Sequence, residues 1–186
     1  MSPELINFLG INEPYLSNLI NALDFLSFRK GDYFLQQGAY CRNIAIMTSG
    51  SARTFYIKES GEDVSFLLQY DYAFLTDYES VLLNQPAKVN IQFLEDATVY
   101  LFPTKLLNSL CETDFYWVSY TKKIMDTIYL EARSRIEDLL YLDAKQRYNK
   151  LLKKSPDIFQ KIPQKYIASY LGIKPPSLSR IKKSIY

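Results

Sequence analysis

Arg180 stands three residues after Ser177 and one after Ser179, in a run from Lys174 to Lys183 (KPPSLSRIKK) that holds four cations and no acid. A guanidinium can donate two parallel hydrogen bonds to one guanine edge, while hydroxyls and ammonium groups hold phosphate oxygens whatever the base. Wound as a helix at about 100° per residue, the run buries Leu178, Ile181 and Ile185 and turns Pro176, Ser179, Arg180 and Lys183 outward. That face suits recognition of a nucleic acid. Arg180, Pro176 and Ser177 would meet base edges, and Lys174, Ser179, Lys182, Lys183 and the earlier Lys165 would meet phosphates. Spacing alone also fits a terminal helical hairpin that merely packs.

Something must hold this face out. Ile167 and Leu171, four residues apart, mark a first short helix; Gly172 supplies the positive φ of a tight turn, and Ala168 lets a second helix come close. Lys174-Pro175-Pro176 opens that second helix, because a proline in a first turn lacks only an N–H that would go unpaired anyway. Charge favours the nucleic-acid reading. Residues 145–186 carry 11 Lys/Arg and one Asp, a net +10, whereas residues 1–144 carry 11 Lys/Arg and 19 Asp/Glu, a net −8. A near-neutral total thus conceals a basic end on an acidic body.

Composition removes other chemistries. With no histidine and only Cys41 and Cys111, the chain lacks the ligands for a Cys/His zinc site or a histidine-ligated haem, and has no histidine base for a catalytic triad. No metal cluster, phosphate loop or nucleotide fingerprint is present, so an enzyme is not expected. No apolar run approaches the roughly 18 residues of a membrane span, and the amino terminus has no basic start or long apolar stretch. A cytoplasmic protein without metal or cofactor is the expectation.

Taken in order, residues 4–27 show helical periodicity (Leu5, Phe8, Leu9, then Leu16, Leu19, Ile20, Leu23) broken at Pro14. From Phe28 short Tyr/Phe/Val/Ile/Thr-rich segments alternate with glycine turns at Gly31, Gly38, Gly50 and Gly61. Strands are expected at Tyr33–Leu35, Asn43–Thr48, Ala52–Ile57, Asp63–Leu68, Val89–Phe93 and Thr98–Pro103, a spacing that argues for a β-sandwich or jelly roll. A long helix follows over about 115–142. Val118, Met125, Ala132 and Leu139 recur every seven residues, with Thr121, Ile128, Arg135 and Leu142 three after each; Thr121 and Arg135 make the second series imperfect. So much apolar surface predicts a parallel two-fold dimer, with one long core helix in a monomer as the alternative. A basic helix over Lys145–Lys154 places a domain boundary near 142–144: an effector domain over 1–142 and a DNA-binding domain over 143–186.

The chain resembles the Crp/Fnr family of bacterial transcription regulators over nearly its whole length, and reads most like its Bacteroidetes branch. The resemblance rests on Arg29-Lys30-Gly31-Asp32, Gln37-Gly38 and Ser49-Gly50-Ser51-Ala52-Arg53 in the β region. At the C-terminus it rests on Ile167-Ala168-Ser169-Tyr170-Leu171-Gly172-Ile173 and Ser177-Leu178-Ser179-Arg180-Ile181. It implies an α+β protein: a jelly-roll (double-stranded β-helix) sensor domain like those that bind cyclic nucleotides, a central dimerisation helix and a winged-helix-type helix-turn-helix. Double-stranded DNA, a second copy of the chain and RNA polymerase are the partners it implies.

The sequence also departs from the family. Where cyclic-AMP-binding members hold the ribose and phosphate with a glycine-glutamate pair and an arginine-serine pair, this chain has Thr76-Asp77 for the first and, at the arginine position, Ala87 or, with a one-residue shift, Lys88. A lysine cannot make the two-pronged contact of a guanidinium, and loss of such a buried bond costs about 2–5 kcal/mol. Cyclic AMP is therefore not the expected effector. An unidentified small molecule or none remains, since the cysteines are too few for an iron–sulfur cluster. Pro176 replaces the glutamate that reads a guanine-rich half-site, which leaves Arg180 as the direct reader. The rival expectation is a sensing or interaction module whose basic end binds protein or RNA.

Overall fold

The computed structural model describes residues 2–184. Two short helices, α1 (Pro3–Leu9) and α2 (Tyr15–Ile20), precede strands β1 (Asp24–Phe28), β2 (Tyr33–Leu35), β3 (Asn43–Ser49), β4 (Ser51–Ile57), β5 (Asp63–Tyr70) and β6 (Ala73–Leu75). Helix α3 (Tyr78–Leu83) leads to β7 (Asn90–Phe93) and β8 (Ala97–Pro103). The remainder is helical: α4 (Thr104–Thr113), α5 (Phe115–Tyr141), α6 (Ala144–Lys154), α7 (Ile158–Lys161), α8 (Gln164–Tyr170) and α9 (Pro175–Lys183).

The strands form two four-stranded antiparallel sheets, ordered β1-β8-β3-β6 and β2-β7-β4-β5, so the expected jelly roll is present. Between them lie Ala45, Met47, Leu75 and Val99 from one sheet and Ala52, Ile91 and Phe93 from the other. The period-2 alternation of short strands explains this: each sends every second side chain inward. At the β3–β4 turn Gly50 has φ +108°, and a Cβ there would lie 2.6 Å from that of Ala97, so only glycine fits. One expectation fails. The helical pattern assigned to residues 4–27 ends at Ile20, and Asp24–Phe28 is a strand paired along its length with β8. Leu23 merely continued the helical spacing past the turn that ends α2.

A second core covers the outer face of the β1-β8-β3-β6 sheet, where Leu5, Leu9, Leu16 and Leu19 pack with Ile46, Phe102 and Trp117. Asp114 caps α5 by accepting from Tyr116 N at 2.8 Å, and the Tyr116 ring stacks on Tyr15 at 3.7 Å. One turn on, Tyr120 Oη donates to Leu9 O at 2.8 Å. Burial raises the Tyr120 hydroxyl to about 12. The folded protein therefore holds this proton more tightly than the unfolded chain does. The contribution is fully present below about pH 10 and is lost as pH rises from there towards 12. Denaturant unfolding across that window should show a steeper loss of stability for the natural protein than for Tyr120→Phe.

Beyond Trp117, one side of α5 still touches the rest of the chain while the other carries exposed apolar side chains. Val118, Ile128, Tyr129, Leu130, Ile136, Leu139, Leu140 and Tyr141 are all at least 40% exposed. The helix ends at Tyr141, and after Leu142 the Asp143–Gln146 capping box starts α6. Among the described residues no helix is long and apolar enough to cross a membrane.

Candidate nucleic-acid interface

The C-terminal helices build a third core with Leu94, Leu68 and Tyr70 of the β-roll: Tyr148, Ile158, Ile162, Ile167, Ala168, Leu171 and Leu178 are at most 2% exposed. Helix α8 stops at a glycine for a local reason. Gly172 has φ +70°, its N–H bonds Ser169 O at 3.0 Å, and Ile173 N bonds Ala168 O at 3.0 Å. This Schellman arrangement satisfies carbonyls that a helix end leaves open and fixes the angle at which the chain departs. Lys174 then caps α9, with Pro175 and Pro176 as its first residues.

On α9, Leu178 is fully buried and Ile181 half-buried, while Pro176, Ser179, Arg180 and Lys183 are exposed. Ile185, also expected to be buried, lies outside the described residues. Arg180 Nη2 donates to Ser177 Oγ at 3.3 Å, which holds the guanidinium over the first turn. Ser179 Oγ donates to Pro175 O at 3.2 Å. The expected phosphate cations spread round this face. Lys182 Nζ sits 4.6 Å from the Phe159 ring, Lys165 Nζ sits 4.6 Å from the Tyr166 ring, and Lys174 lies 3.6 Å from the Glu62 carboxylate. Helix α9 itself carries no carboxylate, and Glu62 of the β-roll is the acid beside its first turn.

The residues at the expected effector position behave otherwise. Thr76 Oγ1 lies 3.5 Å from Cys41 Sγ, and Asp77 caps α3 by accepting from Ser80 N at 3.5 Å. Ala87 is buried in the β-roll core. Lys88 is exposed and ion-paired with Glu79, which holds its ammonium above the ordinary range. Thr76 and Asp77, adjacent in the chain, sit at the β6–α3 junction, and Lys88 lies against the same helix, within reach of the fields of Glu79 and Asp77. Of the expected dimer-helix residues, Val118, Ile128, Ala132 and Leu139 are exposed and Met125 is half-buried.

Sequence reasoning missed how the helix-turn-helix is held. Helix α8 docks on β5, where Ser65 N donates to Ser169 Oγ at 2.9 Å. Arg53, 5% exposed, lies between the Phe55 ring at 3.8 Å and the Tyr166 ring at 3.9 Å, and pairs with Asp63 at 2.9 Å. Lys161 meets Asp71 at 2.9 Å, and that carboxylate raises the lysine's affinity for its proton. The one available sequence signal was Arg53 itself, a large cation inside a strand otherwise rich in buried residues.

The chain thus combines an eight-stranded jelly roll, a long helix and a basic helix-turn-helix docked on β5. Residues 25–114 match the family model of the cyclic nucleotide-binding domain, and the chain as a whole shares its fold with solved structures of the crp/fnr type. Among solved structures, FixK2 from Bradyrhizobium japonicum superposes with a TM-score of 0.76 at 13% identity, covering 88% of this chain and 84% of its own. A putative crp/fnr-family transcriptional regulator from Eubacterium rectale gives 0.71 at 18%, covering 94% and 83%. The Catabolite Activator Protein of Thermus thermophilus gives 0.60 at 15%, covering 97% and 85%. No curated protein sequence matches the chain.

Proposed function

We propose that the chain is a sequence-specific DNA-binding regulator of the Crp/Fnr type that acts as a homodimer on an imperfect palindrome. The observation that carries this reading is the exposed, acid-free face of α9, on which Arg180 is poised over Ser177 with lysines around it. In this reading residues 1–142 form the effector and dimerisation part and residues 143–186 the DNA-binding part. Two copies of α9 would enter successive major grooves about 34 Å apart. Arg180, with Ser177 and the apolar Pro176, would read base edges; Lys165, Lys174, Ser179, Lys182 and Lys183 would hold phosphates. The stripe along α5 would form the dimer.

Two variants test this division of labour against a preferred duplex. Arg180→Ala should relax preference at one position per half-site at a cost of about 1–3 kcal/mol, while Lys183→Ala should weaken binding to every duplex and flatten its salt dependence. Equal behaviour of both in competition titrations would overturn the assignment.

Cyclic AMP is not the effector in this reading. Asp77 already serves α3 as its cap, Ala87 offers no charge, and the Lys88 ammonium is an exposed point charge paired with Glu79 that cannot replace a buried guanidinium fork. Calorimetric titration with cyclic AMP should give no heat of tight binding. Micromolar or better affinity would contradict the reading of this pocket.

A further inference from the structure

We infer that Arg135 is a positioning residue that fixes the helix-turn-helix relative to the long helix and so sets which half-site spacing the dimer accepts. The inference rests on the DNA-binding reading above. In the sequence Arg135 interrupts the apolar series of α5. Wound at about 100° per residue, it lies roughly 60° to one side of Ala132, and its guanidinium reaches back over its own protomer.

That guanidinium joins three elements remote in sequence. From α5 it donates through Nη2 to Tyr170 O, at the end of α8, at 3.0 Å and to Ser65 O in β5 at 3.4 Å, and it lies 3.7 Å over the Tyr170 ring. The N–H of the same Ser65 donates to Ser169 Oγ, so one residue of β5 meets α8 through its N–H and Arg135 through its carbonyl. The next carbonyl is also taken. Leu171 O accepts from Arg147 Nε of α6 at 3.0 Å, and Arg147 Nη1 donates back to Leu142 O at 2.5 Å.

The C-terminal carbonyls of α8 have no partner within their helix. Here one is claimed by an arginine before the α5–α6 joint and the next by an arginine after it, so the joint at Leu142–Asp143 is bridged. Tyr170 also precedes the Schellman turn that aims α9, so whatever holds Tyr170 holds α9. Arginine is required for this. A lysine offers a point charge that can neither donate from a planar fork nor stack on the Tyr170 ring.

In a dimer built along α5, fixed heads accept one separation of half-sites, whereas heads that pivot at residues 142–143 accept several. The experiment measures affinities of the full-length protein for a palindrome at its preferred spacing, for the same palindrome with one base pair added to or removed from its centre, and for an isolated half-site. The natural protein should prefer its own spacing by about 30-fold or more, and Arg135→Gln and Arg135→Lys should each compress that preference to about fivefold or less. Half-site affinity should change less than about twofold, because Arg135 touches no part of the reading face. Arg135→Lys keeps the charge and most of the stem, so the comparison survives if Arg135→Gln unfolds. Either variant, folded and dimeric, retaining the natural spacing preference overturns the inference alone. A natural protein that binds no duplex overturns the DNA-binding reading and this inference with it.

Discussion

The double variant Ile128→Glu, Ile136→Glu should run as a folded monomer of about 22 kDa, where the proposed dimer of the natural 21.7 kDa chain should run at about 43 kDa. Both isoleucines lie on the α5 face defined by Val118, Met125, Ala132 and Leu139, and they are 42% and 58% exposed in the protomer. A glutamate at either position can turn its carboxylate to water, although Ile128 also borders the apolar groove of Leu9, Phe74 and Trp117. In a two-fold seam the same carboxylates meet their own copies, and two like charges without water or partner cost several kcal/mol. Because each head alone makes only half of the contacts, affinity for a full palindrome should fall at least about 100-fold while half-site binding persists. Light scattering and a fluorescence titration read both effects. An unchanged mass, or a natural protein already monomeric at micromolar concentration, would contradict the dimer.

Trp117→Ala carries the largest expected cost in stability, about 3–5 kcal/mol. Trp117 is 3% exposed and is the one buried residue of α5. Its indole meets Tyr15, Tyr116 and Tyr120 edge-on, at ring distances of 6.0, 5.5 and 6.0 Å. The cavity left behind would lie where α1, α2 and the β1-β8-β3-β6 sheet meet the root of the long helix. Chemical unfolding should show the loss, and a cost below about 1 kcal/mol would mean that the helix is anchored elsewhere.

The features legible in the sequence are those that short-range chemistry determines. Glycines at positions 31, 38, 50 and 61 announced turns, and each adopts positive φ. Alternation gave six of the eight strands to within two residues, and the heptad run gave α5 almost to its ends. Gly172, the two prolines and Leu178 together specified the helix-turn-helix, and the outward set on α9 emerged with Arg180 exposed. Where the reading failed, a distant partner had changed the meaning of a residue. β1 is a strand because β8 lies beside it, and Asp24 to Phe28 carry little signal of their own. Arg53 sits on the β4 face that alternation assigns to solvent, yet Tyr166 and Phe55 enclose it because α8 covers that sheet. Arg135 looked like a flaw in a seam. It faces the head instead, and only the three-dimensional course of α8 reveals its carbonyl partners.

The most direct test of the account is enrichment of a random duplex DNA library by the purified full-length protein at moderate salt. The account predicts a two-fold motif whose half-sites are centred about 10 base pairs apart, with a guanine at the position that Arg180→Ala releases. Retention of every sequence alike, or of none, would contradict it.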